Sequence, residues 1–123
     1  MDYRDLAFGD WIQVERGYDG HLTNERVKGV IGDEDEPYPV RLFTEETVSL
    51  NDIHPIPITE EILVKNGWRK EPITIDGDYA NWHGEIPISQ AEDEYNYADI
   101  ELRYAHQLQH LLSLCGIEKE LTI

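Results

Sequence analysis

A single cysteine, Cys115, occurs in 123 residues. One thiol excludes an intramolecular disulfide and a zinc site made of cysteines alone. Cys115 falls on an apolar helix face, where it is expected as a small buried core residue, with no basic neighbour to activate it as a nucleophile. Basic residues are also scarce: ten Lys and Arg stand against 26 Asp and Glu, for a formal charge of −16. Nucleic-acid binders gain affinity mainly by neutralising phosphates, so this balance argues against direct nucleic-acid binding. The same charge repels anionic membranes. No apolar run approaches the ~20 residues of a membrane-spanning helix. Residues 1–5, Met-Asp-Tyr-Arg-Asp, lack the basic and apolar regions of a signal peptide. These absences together lead to the expectation of a reducing, cytoplasmic setting.

Catalytic motifs are missing too. Ser49, Ser89 and Ser113 sit in no Gly-x-Ser-x-Gly elbow. The nine glycines are scattered at turns and form no phosphate-binding loop. Carboxylate pairs such as Glu45-Glu46 and Glu60-Glu61 follow from the composition and identify no glycosidase site. Asp33-Glu34-Asp35-Glu36 lacks the ligand spacing of an EF-hand.

Apolar residues make up 40% of the chain, with three Trp and seven Tyr. That suits one compact domain, or two very small units with separate or shared cores. The ordering stretch is Tyr104 to Ile117. Tyr104, Leu108, Leu111, Leu112 and Cys115 fall in one sector at 100° per residue, the pattern of a core-facing helix. His106, Gln109, His110 and Ser113 fall opposite, facing solvent. Gly116 suits a left-handed stop, with Ile117 folding back on Leu112. A helix this short is marginal alone and needs a sheet to lie on.

The rest of the chain supplies strands. In residues 1–58, Trp11–Glu15, Arg26–Ile31, Tyr38–Phe43 and Thr47–Leu50 read as short strands. Gly29 suits a bulge, and the acidic stretch 32–37 suits an exposed turn. Asn51–Ile53 reads as a 3₁₀ turn and His54–Pro57 as a last extended segment. That order is similar to an SH3-like barrel. In residues 59–123, Thr59 caps a short helix that Asn66-Gly67 stops, with Trp68 packing back on Leu63. Ile73–Ile75, Tyr79–Trp82, Ile86–Ile88 and Ala98–Leu102 follow as strands, with Ala91–Asn96 as a polar loop. The expected architecture is α+β: an SH3-like small barrel over 1–58, then a four-stranded antiparallel sheet covered by the C-terminal helix over 59–123.

Three blocks carry a resemblance: Phe8-Gly9-Asp10-Trp11, Ile53 to Trp68, and Tyr104 to Leu111 with Leu114 to Ile117. They resemble a family of small uncharacterised proteins encoded in prophages and mobile elements of gut anaerobes. The resemblance implies a bacterial or phage origin and brings no activity to carry over.

Two site hypotheses follow. The first is a non-enzymatic interaction protein, without cofactor, whose acids meet a basic protein partner. Its surface would comprise Asp33, Glu34, Asp35, Glu36, Glu45, Glu46, Glu92, Asp93 and Glu94, and a DNA mimic is its narrower form. Tyr79, Trp82, Tyr95 and Tyr97 are either aromatics beside those acids or core anchors. The alternative is a metal-binding regulator or hydrolase built on His106 and His110, whose i, i+4 spacing can chelate one ion. Gln107 stands where a zinc peptidase needs its Glu, and His21, His54, His83 or a carboxylate would have to complete the site.

Overall fold

The computed structural model describes residues 6–31, 35–76 and 78–123. They form an α+β protein with two antiparallel five-stranded sheets and one main helix. The chain divides into two compact units, residues 1–56 and 57–123.

The first unit contains β1 (Trp11–Arg16), β2 (His21–Val30), β3 (Val40–Leu42), β4 (Thr47–Val48) and β5 (Ile53–Pro55), with a 3₁₀ turn at Leu50–Asp52. Strand order is β4-β3-β2-β1-β5, an open order rather than a closed barrel. Alternation builds its core: Ile12 and Val14 point inward from β1, Val40 and Leu42 from β3, and Val27, Val48 and Ile53 complete the cluster with Leu6. The register slips between Val27 and Gly29, a bulge at the expected glycine. β2 starts at His21, five residues before the expected strand, because Arg16 to Trp11 pair with His21 to Arg26 along a tight hairpin.

The second unit contains α1 (Glu60–Lys65), β6 (Arg69–Pro72), β7 (Tyr79–His83), β8 (Ile88–Ala91), β9 (Glu94–Tyr97), β10 (Ile100–Leu102) and α2 (Ala105–Leu114). The sheet is a continuous meander, β10-β9-β8-β7-β6. Thr59 Oγ1 accepts from Ile62 N at 3.3 Å to cap α1. Both helices end in the same motif. Gly67 N–H donates to Val64 O and Trp68 N–H to Leu63 O; Gly116 N–H donates to Ser113 O and Ile117 N–H to Leu112 O. Gly67 and Gly116 take the positive φ this requires, +94° and +75°. The core joins Leu63, Trp68, Trp82, Ile88, Tyr95 and Leu102 with Leu108, Leu111 and Leu112 of α2. Trp68 Nε1 donates to Ile86 O at 2.9 Å and Trp82 Nε1 to Gln90 Oε1 at 2.8 Å, so neither indole is buried with an orphan donor.

Three strand expectations in this unit differ, and the sheet has five strands rather than four: the strand expected at Ile86–Ile88 runs from Ile88 to Ala91. Ile73–Ile75 is not a strand: these residues form a turn, with Ile73 and Ile75 exposed. The strand is Arg69–Pro72, in register with Ala80–His83. Ala91–Asn96 is not a loop either. Ala91 pairs with Glu94, so β8 and β9 are joined by two residues only, Glu92 and Asp93.

α2 also differs from its expected orientation. Tyr104 is the N-cap rather than part of the apolar stripe. Gln107 Oε1 reaches back to accept from Tyr104 N at 3.1 Å and Arg103 N at 2.8 Å. His106, expected outward, is buried. The Tyr104 ring stacks flat on it at 5.8 Å and the His110 ring meets its edge at 5.9 Å. Cys115, expected buried, is exposed at the C-cap, because the helix ends at Leu114 and the core contact stops at Leu112, leaving Ser113 and Leu114 exposed as well.

Candidate functional site

The acids expected to form one surface behave as two groups. In the first unit, Glu45 and Glu46 sit in the β3–β4 turn, where Glu45 takes φ +72°. Both are already engaged by the chain's own cations. Lys28 Nζ and Arg41 contact Glu45, and Arg16 contacts Glu46. The Lys28 hydrogen bond holds the Glu45 carboxyl below its usual range. The Glu46 hydrogen bond in turn raises the Arg16 guanidinium. Glu36 Oε1 accepts from Tyr38 N at 3.1 Å, and Asp35 is exposed. Asp33 and Glu34 lie outside the described residues.

In the second unit the acids gather at the tips of neighbouring hairpins. Glu92 N donates to Asp78 O at 2.6 Å, which draws the β8–β9 turn against the segment entering β7. Glu92 takes φ +57°, costly for a residue with a Cβ. Gln90 Nε2 donates to Glu92 O at 2.7 Å and helps hold that conformation. Asp76, Asp78, Glu92, Asp93 and Glu94 form no ion pair among the described residues. The Asp78 carboxyl is pushed above its usual range by its hydrogen bond to Asp76 and that residue's charge, with burial and Glu92 adding to the effect. Asp76 moves the opposite way, chiefly through a hydrogen bond from Thr74. Asp76 and Asp78 read only as turn residues in the sequence; the strand register brings Asp78 beside Glu92, and Asp76 sits against Asp78.

The sheet between these tips and the far end of β7 has one covered and one bare face. Ala80, Trp82, Ile88, Gln90, Tyr95 and Leu102 point inward and are buried. On the opposite face the pairings Glu71↔Asn81, Asn81↔Ser89, Ser89↔Asn96 and Asn96↔Glu101 make a polar row across all five strands. A shallow depression of about 530 Å³ lies beside the row, bounded by Asn81, Ser89 and Asn96 on one side and His83, Pro87 and Ala98 on the other. His83 Nε2 lies 2.5 Å from Glu71 Oε2, and Arg103 Nε donates to Glu101 Oε1 at 2.9 Å. The charges at both ends of the row are thus partnered, and its centre is uncharged amide and hydroxyl. Alternation along β7 puts Asn81 outside with Tyr79 and His83. The row itself depends on β6 and β9, which the sequence pattern does not reveal.

The aromatics divide. Trp82 and Tyr95 are core anchors; Tyr79 is exposed beside the acidic tips. Burial raises the Tyr95 hydroxyl above its usual range. His106 and His110 do come together, yet no group of three His, Cys, Asp or Glu side chains converges among the described residues. His83 and His21 each face a carboxylate of their own unit, Glu71 and Asp19, and His54 lies half-buried on β5. No described helix is long and apolar enough to cross a membrane.

Comparison with known proteins returns no match to a family model, to a curated protein or to a solved structure.

Proposed function

We propose that this chain is a non-enzymatic interaction protein of a phage or mobile element. Acting in the cytoplasm, it takes a basic protein partner on its acidic surface. The observation that carries the reading is the trio Asp76, Asp78 and Glu92, brought together by the Glu92–Asp78 backbone hydrogen bond and without an ion pair among the described residues, with Asp93 and Glu94 following in the chain. A basic partner supplies the missing charge, and the formal −16 of the chain steers the encounter. Glu45 and Glu46 contribute less to this surface, since Lys28, Arg41 and Arg16 already neutralise them. A DNA mimic, competing with nucleic acid for its partner, is the narrower form of the same reading. We also infer that the first unit is SH3-like. The support is its strand order β4-β3-β2-β1-β5 with a 3₁₀ turn between β4 and β5.

Retention on immobilised polylysine at low and high salt tests the function. Asp78→Asn/Glu92→Gln is expected to elute at clearly lower salt than the chain with Glu45→Gln/Glu46→Gln, although both lose two charges. Equal elution, or no retention at low salt where screening is weakest, defeats the proposal.

A further inference from the structure

The chain shows on itself how its amide side chains hold an extended peptide. Asn66 takes Thr122 by both main-chain groups, with Nδ2 donating to Thr122 O at 2.8 Å and Oδ1 accepting from Thr122 N at 2.7 Å. Gln109 does the same nearby, with Nε2 donating to Lys119 O at 2.6 Å and Oε1 accepting from Leu121 N at 2.8 Å. A carboxamide offers one donor and one acceptor side by side, the complement of a peptide unit.

The outer face of the second sheet presents the same chemistry, with Asn81 and Ser89 exposed and Asn96 half-buried. Asn81 and Asn96 flank Ser89 in one row, and neither amide side chain makes a hydrogen bond among the described residues. With strands ~4.8 Å apart, the two asparagines stand ~10 Å from each other, about three residues of extended chain. The acids Asp78 and Glu92 lie three residues, or ~10 Å, further along the strands, at the reach of a lysine or arginine side chain, whereas Glu94, one row on, already has Arg103 beside it. We propose that this face receives an extended, basic peptide segment. Asn81 and Asn96 hold its main chain along the depression, and Asp78 and Glu92 meet its cations. This rests on the basic-partner reading and adds the form in which the partner is bound.

The test is an NMR titration of the intact chain with two probes. One is a capped decapeptide of alternating Lys and Ser; the other is spermine, which has charge but no peptide groups. The decapeptide is expected to shift the side-chain amide resonances of Asn81 and Asn96 saturably. Asn81→Ala/Asn96→Ala weakens the decapeptide roughly tenfold, the worth of one to two net hydrogen bonds, and leaves spermine within about twofold on the same grounds. Ser89→Trp, which fills the depression from an exposed position, produces the same selective loss. Asp78→Asn/Glu92→Gln weakens both probes. Unchanged decapeptide affinity in the asparagine variant overturns this inference while the basic-partner reading stands. Failure of both probes to bind the wild-type chain at low salt overturns the reading itself.

Discussion

Asn66 and Thr122, 56 residues apart, are joined by two hydrogen bonds of 2.7 and 2.8 Å. Asn66 is buried at the C-cap of α1, and its Nδ2 donates also to Ile62 O at 2.8 Å. Lys119 adds to the clamp, its Nζ donating to Asn66 O while lying 5.1 Å from the centre of the Trp68 ring. The extended tail is thereby held over the end of α1, and Leu121 is buried in the core. Asn66→Ala leaves main-chain groups of Thr122 without their partners. It is expected to cost about 2–3 kcal/mol, read as a lower urea midpoint. A loss below about 0.5 kcal/mol, the level of an ordinary surface change, would show that the clamp contributes nothing.

A second prediction concerns Gly84, which stands after β7 against the face of Trp68. A Cβ there would lie 2.6 Å from two atoms of the indole, inside van der Waals contact. Trp68 cannot step aside, because it is buried and tied to Ile86 O. Gly84→Ala should therefore destabilise by about 1–3 kcal/mol, the usual cost of overpacking. Gly29 gives the contrast: its Cβ would meet nothing within 4 Å and its φ is not positive. Gly29→Ala should be within about 0.5 kcal/mol of neutral. Chemical denaturation of the two variants side by side checks the pair, and a reversed order would refute the packing argument.

What the sequence made legible was local. Thr59, the Asn66-Gly67-Trp68 stop and the Gly116-Ile117 stop each depend on hydrogen bonds within one turn, so their chemistry is written in adjacent residues. The leucine face of α2 was equally readable, since Leu108, Leu111 and Leu112 share a helical period and are buried. Pairing decided the rest. Ile73 and Ile75 alternate as a strand should, yet the ladder to β7 is made by Arg69–Pro72. A two-residue turn of Glu92 and Asp93 carries none of the Asn-Gly signals that announce such hairpins, and Gln90 and Asp78 supply what the turn residues lack. The acidic tips were half legible. Glu92, Asp93 and Glu94 stood out as a run, whereas Asp78, with Asp76 against it, meets Glu92 only through that register.

Burial on α2 gives a third prediction. His106 is 5% exposed, with Tyr104 stacked on it, whereas His110 is half-buried. His106→Ala should cost about 2 kcal/mol as a large-to-small change in a packed site. His110→Ala should cost well under 1 kcal/mol, as expected toward the surface. Thermal unfolding with and without added zinc extends the comparison. A zinc-dependent rise in Tm that His110→Ala abolishes would favour the metal-binding alternative.

The pH dependence of stability follows from Asp78. Its folded-state pKa lies above the ordinary 3.8, because Asp76 and Glu92 disfavour its charge. The folded chain thus binds this proton more tightly than the unfolded chain does. Stability must then fall as pH rises through the window just above 3.8, and the penalty persists at neutral pH. Asp76, lowered by the Thr74 hydroxyl, has the opposite sign and acts in a different window: its contribution is present above 3.8 and is lost as pH falls below that value. Asp78→Asn removes the repelled charge and keeps the backbone bond to Glu92. The variant should therefore have a higher urea midpoint than the wild-type chain at pH 7, and the advantage should vanish near pH 3. It should at the same time bind polylysine less well. A variant that binds less but gains no stability at pH 7 would mean that the acids at the hairpin tips do not repel one another, leaving no local charge excess for a partner to relieve.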